Sequence, residues 1–168
     1  MSEDAVHRSR LVEWDDPVAG ARRGATMAGL DYLAALARGE ISPPPMAKLM
    51  GMTLTEVAEG RAVFRCTPDE SHYNTIGTVH GGLVCTLLDS AVGCAVQTTL
   101  AAGLGYTSIE LKVSYLRPLH RHSGEIVCVG TVVKPGRRVA FAEGVVTDAS
   151  GAVIATASSS LLVFPVEA

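Results

Sequence analysis

Residues 81 to 99, GGLVCTLLDSAVGCAVQTT, form an almost wholly apolar run. Leu83, Val84, Leu87, Leu88, Ala91, Val92, Ala95 and Val96 recur at the i, i+3, i+4 spacing of a helix core face. The opposite side holds Cys85, Thr86, Ser90, Gly93 and Cys94, all small enough to let other backbone approach closely. The spacing therefore predicts a helix buried on nearly all sides, which the rest of the chain must wrap. One carboxylate, Asp89, stands in this run. Desolvating it costs several kcal/mol unless it is paired or hydrogen-bonded, so its presence points to a requirement other than packing.

The segments around the helix read as strands. MTLTEVAEGRAVFRCT, residues 52 to 67, alternates on both sides of Glu59-Gly60, a good turn pair, and predicts a hairpin. PDESHYNTIGTV follows as a loop that delivers the chain to the helix. After the helix come YTSIELKVSYLRP, GEIVCVGTVVKPG, RRVAFAEGVVTDASG and AVIATASSSLLVF, separated by Gly, Pro, Asp and Ser. Four strands joined by short antiparallel connections are expected, giving an α+β fold in which a curved antiparallel sheet wraps one long central helix. Ahead of this unit, residues 1 to 20 are polar and unpatterned and read as a loose arm. Residues 21 to 39 place Met27, Leu30, Leu33, Ala34 and Ala37 at helical spacing and predict one short amphipathic helix. SPPPM at 42 to 46 ends it and reads as a linker.

A chain of 168 residues suits one domain with a single core. Hydrophobic residues make up 48% and charged residues 18%, an apolar balance that predicts a surface partly covered by another subunit. The net charge of −3, with no basic run longer than a pair, argues against nucleic acid. The four cysteines, Cys66, Cys85, Cys94 and Cys128, have no metal-ligand spacing. Cys85 and Cys94 are about 13 Å apart on the predicted helix, too far for a disulfide. The polar N-terminus and the lack of a long uninterrupted apolar run predict no signal peptide and no membrane span. A reduced, cytoplasmic setting is expected.

Asn74, HGG at 80 to 82, Asp89 nine residues after the histidine, ELKVSYLRP at 110 to 118 and KPGRRVAF at 134 to 141 together carry a resemblance. In this order of elements the chain resembles the hotdog-fold acyl-CoA thioesterases, and among them the phenylacetate-pathway (PaaI-like) branch. The resemblance covers about residues 46 to 165 and implies a hotdog domain over 46–168, preceded by an N-terminal arm and short helix over 1–45. It implies an acyl-CoA substrate, with CoA a part of that substrate and no separate cofactor.

The N-terminus of the apolar helix offers unpaired N–H groups and the positive end of a dipole, and glycine at 81 and 82 removes the Cβ that would obstruct a carbonyl oxygen. That is an oxyanion hole in outline; tight packing where loop meets helix is the alternative reading of the two glycines. Asp89 lies about 12 Å further along the axis, so one thioester cannot touch both on the same helix. Two helices packed antiparallel across a two-fold axis would bring Asp89 of one subunit to Gly81 of the other, which predicts a homodimer with two composite sites. The resembling family is built in this way and often pairs its dimers into tetramers. The resemblance makes Asp89 a general base toward water or a nucleophile toward the thioester; a helix carboxylate capping neighbouring backbone is the plain alternative.

The resemblance also gives Asn74, the only asparagine, the task of orienting the water or the carboxylate, although asparagine is equally a turn residue. His80 is expected to position the turn near the thioester, with proton transfer the alternative. Ser108 matches a hydroxyl near the reaction centre, with Thr107 a one-residue competitor and an ordinary strand-edge serine the plain alternative. Arg137 and Arg138, after Pro135-Gly136, and Gly82 are assigned to CoA; a solvated turn is the alternative, and Arg117 and Lys134 compete for the phosphates. His72, His120 and His122 lack the carboxylate or cysteine framework of a metal site, and no metal is expected. Two other functions fit the same fold: enoyl-CoA hydration or dehydration, and non-catalytic binding of acyl-CoA. The spacing from HGG to Asp89 favours hydrolysis over the first. Residues 1 to 45, neither basic nor patterned as a helix-turn-helix, disfavour a DNA-linked sensor.

Overall fold

The structure, a computed structural model, describes residues 7–166. Three short helices come first: α1 (Pro17–Ala25), α2 (Gly29–Ala37) and α3 (Pro45–Met50). A hairpin of β1 (Met52–Ala58) and β2 (Arg61–Cys66) leads through a 3-10 turn at Glu70–His72 to the central helix α4 (Gly81–Gln97). Strands β3 (Leu104–Tyr115), β4 (Ile126–Lys134), β5 (Val139–Thr147) and β6 (Val153–Pro165) complete the chain. All strand pairs are antiparallel, in the order β1-β2-β4-β5-β6-β3, and α4 packs against every strand of the sheet.

The apolar face of α4 is the core. Leu87, Leu88, Ala91, Val92, Ala95 and Val96 are wholly buried. Two glycines explain how closely helix and sheet meet. Gly130 of β4 and Gly144 of β5 are directly opposed in the ladder. A Cβ at 130 would lie 2.2 Å from the Ala91 carbonyl oxygen, and one at 144 would lie 2.8 Å from the Leu88 side chain. The α4 backbone therefore rests on a flat patch of sheet that any larger residue would lift.

Four expectations are corrected. The strands after α4 do not follow one another across the sheet: β3 pairs with β6, so residues 116–125 cross over to place β4 between β2 and β5. Turn residues mark where a strand ends but carry no information on which distant strand it joins. The single helix of residues 21–39 is two helices, because Gly29 lies against the end of α4. Its N–H donates to the Leu100 carbonyl at 2.9 Å, and a Cβ there would lie 1.8 Å from the Gln97 oxygen. The proline linker holds the start of α3, since proline is favoured at the first helical position, and Gly51 at φ +62° ends that helix. The arm is anchored over its described part. Arg8 pairs with Glu70, Arg10 donates to the Leu49 carbonyl, Ser42 donates to Asp15, and Asp16 caps α1. Residues 1 to 6 of the arm lie outside the described residues.

Candidate active site

The loop before α4 is closed by Asn74. Its Oδ1 accepts from the N–H groups of Ile76 and Thr78, both at 3.1 Å, and its Nδ2 donates to Thr78 Oγ1 at 2.8 Å. Within one protomer the Asn74 amide thus sets the path of the chain into the helix. His80 is the N-cap of α4: its Nδ1 accepts from the Gly82 N–H at 2.8 Å, and its own N–H donates to the His72 carbonyl at 2.7 Å. A Cβ at 82 would sit 2.8 Å from that imidazole nitrogen, so glycine there makes room for the cap. The Gly82 N–H is committed to His80, whereas the Gly81 N–H has no partner among the described residues. Of the two glycines, Gly81 has the free donor that an oxyanion needs.

Strand β3 runs alongside α4 and meets it at three levels. At the helix start, Tyr115 lays its ring against Gly81 and its hydroxyl donates to the Gly81 carbonyl at 3.0 Å; a Cβ at 81 would come 3.1 Å from that ring. At mid-helix, Ser108 Oγ donates to Asp89 Oδ1 at 2.6 Å. Thr107, its neighbour, is exposed and has no such contact. Towards the helix end, Tyr106 covers Gly93 so tightly that a Cβ would lie 2.5 Å from it, and its hydroxyl is hydrogen-bonded to Cys94. Asp89 itself is exposed in the single protomer, about 12 Å along α4 from Gly81. A cleft of about 320 Å³ opens beside Gly81, between Tyr115, Arg117, Leu119 and Ile154.

No thiol here is poised as a nucleophile. Burial pushes the Cys94 thiol up to about 12, with the Asp89 charge adding to the rise, and burial followed by the same charge raises Cys85. The Tyr106 phenol is driven well above its ordinary range, first by burial. These groups remain protonated at neutral pH, so neither thiol nor phenol supplies an anionic nucleophile beside Asp89.

Arg137 and Arg138 are exposed in the turn between β4 and β5 and make no ion pair among the described residues. Register places them: Val139 pairs with Leu162, which pairs with Thr107. The two arginines thus share the sheet end of Ser108 and Asp89, while Gly81 and Tyr115 lie towards the other end. Arg117 is turned to the Val153 carbonyl. Among the described residues no group of three or more His, Cys, Asp or Glu could hold a metal, and no helix is long and apolar enough to cross a membrane. Sequence reasoning missed Tyr115 and Tyr106. Tyr115 lies within ELKVSYLRP without a role assigned to it and Tyr106 lies in no motif, and only the packing of β3 beside α4 reveals that they explain the glycines at 81 and 93.

A single antiparallel sheet wrapped around one apolar helix defines the hotdog class. A family model described as the thioesterase superfamily matches residues 76–155. Human acyl-coenzyme A thioesterase 13 is 33% identical over 105 residues, covering 62% of this chain and 74% of that protein. The chain belongs to the thioesterase superfamily. Among solved structures, a thioesterase family protein from Silicibacter pomeroyi superposes with a TM-score of 0.71 at 26% identity, covering 80% of this chain and 99% of that one. A phenylacetic acid degradation-related protein from Ralstonia eutropha JMP134 gives the same TM-score and identity over 78% and 98%. The hotdog fold and the kinship with phenylacetate-pathway proteins expected from the sequence are met.

Proposed function

We propose that the protein hydrolyses an acyl-CoA, with an aryl or medium-chain acyl group, to the free acid and CoA, in a site shared between two protomers. The observation that carries this reading is the placement of an open Gly81 N–H and a Ser108-held Asp89 on one helix, about 12 Å apart. The separation is too long for one thioester and suits an antiparallel pair of helices. A partner's Gly81 N–H would then take the developing negative charge on the carbonyl oxygen, helped by the dipole of α4. Asp89 acts either by removing a proton from the attacking water or by attacking the carbonyl itself to form an anhydride that water then opens. In both routes the C–S bond breaks and the CoA sulfur leaves to be protonated. Ser108 fixes one carboxylate oxygen, and Arg137 and Arg138 are suited to the CoA phosphates. Asn74 and His80 shape the loop and cap that present Gly81. The engagement of Asp89 with Ser108, and of His80 Nδ1 with Gly82, favours hydrolysis over a hydratase, which needs an acid paired with a histidine.

Release of CoA, followed with a thiol-reactive dye over a panel of aryl- and fatty-acyl-CoA substrates, tests the reading. Turnover by wild type that is lost in a still-dimeric Asp89→Ala is expected. No release from any substrate, or equal rates in both proteins, would reject it.

A further inference from the structure

We infer that the N-terminal extension builds the chamber that receives the acyl group, and that this chamber selects large apolar acyl chains of about eight or more carbons. The inference rests on the thioesterase reading above and names the substrate class of that site. A cavity of about 900 Å³ lies between α1, α2 and α3 on one side and the hotdog unit on the other. That is near the upper end of the range found for small-molecule sites, and far more than an acetyl group would fill.

The chamber is built into the fold. Its roof is fixed at both ends: the Gly29 N–H donates to the Leu100 carbonyl and the Gly103 N–H to the Ala25 carbonyl, both at 2.9 Å, while Arg10 ties the arm to Leu49. Between these points the extension contributes Ala21 and Ala25 from one face of α1, Leu33 and Leu36 from α2, and Pro44. The floor is Leu54 of β1 and Phe64 of β2. Among the described residues, charged side chains in the lining are confined to Arg22 and Lys48, both exposed, and most of the lining is apolar, so the interior suits a hydrocarbon or aryl group.

The inner wall adjoins the reaction site. It is made of Ser90, Cys94 and Tyr106. Ser90 follows Asp89, and Tyr106 lies two residues from Ser108, about 7 Å along β3. The Asp89 charge is close enough to oppose ionisation of both Cys94 and Tyr106. A thioester held at Asp89 can therefore direct its acyl chain along the small-residue side of α4 and into the chamber. This also gives the small residues at 90 and 94 a purpose that packing alone does not supply.

The test compares kcat/KM for butyryl- to dodecanoyl-CoA in wild type, Ala25→Phe and Ala21→Trp, each substitution placing an aromatic ring in the chamber from α1. Wild type should gain about three- to four-fold per methylene until the chamber is full. Each variant should lower the ratio of decanoyl- to butyryl-CoA kcat/KM at least ten-fold. If Ala25→Phe does not fold, Ala21→Trp, at an exposed position of α1, decides alone. Ratios equal to wild type would overturn the inference. Calorimetry with decanoate separates failure of the chamber from failure of the thioesterase reading. If no acyl-CoA is hydrolysed, decanoate binding by wild type that is lost in the variants still upholds the chamber, and equal or absent binding overturns it.

Discussion

Asp89 and Ser108 are joined by a charge-assisted hydrogen bond of 2.6 Å, so the orientation of the carboxylate depends on one hydroxyl. Ser108→Ala should lower kcat about ten-fold with little change in KM, and Ser108→Thr should restore part of the loss, because Ser108 positions Asp89 without contacting substrate. Steady-state kinetics on the three proteins check this. Unchanged kcat in Ser108→Ala would show that the carboxylate is held by something else. Asp89→Asn keeps the shape of the side chain but neither accepts a proton as readily nor attacks a carbonyl, and should cost about 10²- to 10⁴-fold in kcat. At this scale the sequence was legible wherever a residue is out of keeping with its surroundings, as Asp89 is in an apolar helix. It was not legible where the reason for a residue lies across the fold. Gly93 is required by Tyr106, and Gly82 by the cap that His80 makes, contacts that depend on the folded geometry and not on spacing. Asn74 shows the opposite limit, since the turn reading available from its residue type describes all its contacts within one protomer.

Between α4 and the sheet, the opposed Gly130 and Gly144 set the helix height. In Gly130→Ala the new methyl group meets the Ala91 carbonyl, which is backbone and cannot rotate away. Overpacking of this kind costs about 1–3 kcal/mol, and roughly 2–4 °C of Tm per kcal/mol is expected for a chain of this size. Thermal unfolding of Gly130→Ala should therefore begin several degrees below wild type, and an unchanged Tm would mean that α4 does not rest on β4 this closely. The core elements also bury thiols: Cys66 of β2 is pushed up to about 11 and Cys128 of β4 to about 12, both chiefly by burial. Their ordinary value is 9.0. Between pH 9 and about 12 the folded state therefore holds more protons than the unfolded one, and stability must fall as pH rises through that window, by up to about 1.4 kcal/mol per pH unit for each thiol. Melting curves from pH 8 to 11 should show this decline, with a shallower slope in Cys128→Ala than in wild type. The elements themselves were readable because α4 has a helical period, the strands alternate, and Glu59-Gly60 marks a turn. Strand order was not, since the pairing of β3 with β6 joins segments about 50 residues apart that no local signal connects.

At the scale of the whole molecule, the site lies along the β3 edge of the sheet. Among the described residues strand β3 pairs on one side only and runs for 12 residues, with Ile109 57% and Tyr115 53% exposed, so none of them covers its outer row of N–H and C=O groups. Asp89 and Gly81 both lie beside this strand, so the proposed second protomer would complete the site from this side. Shared sites make a prediction that independent sites do not. Gly81→Pro removes the N–H proposed to bind the oxyanion, at a first-turn position where proline is accepted, and Asp89→Asn removes the carboxylate. Each variant alone should be nearly inactive. After unfolding and refolding together in equal amounts, about half of the dimers are mixed, and each mixed dimer has one site with both groups intact, made of Asp89 from the Gly81→Pro chain and Gly81 from the Asp89→Asn chain. Activity should return to about a quarter of wild type, measured as CoA release per protomer. Sites confined to single protomers would stay inactive in the mixture however well the dimers form. Recovery in a mixture shown by sedimentation to be dimeric would place the two halves of the chemistry on different chains, and its failure there would return both to one chain, where 12 Å of helix separates them.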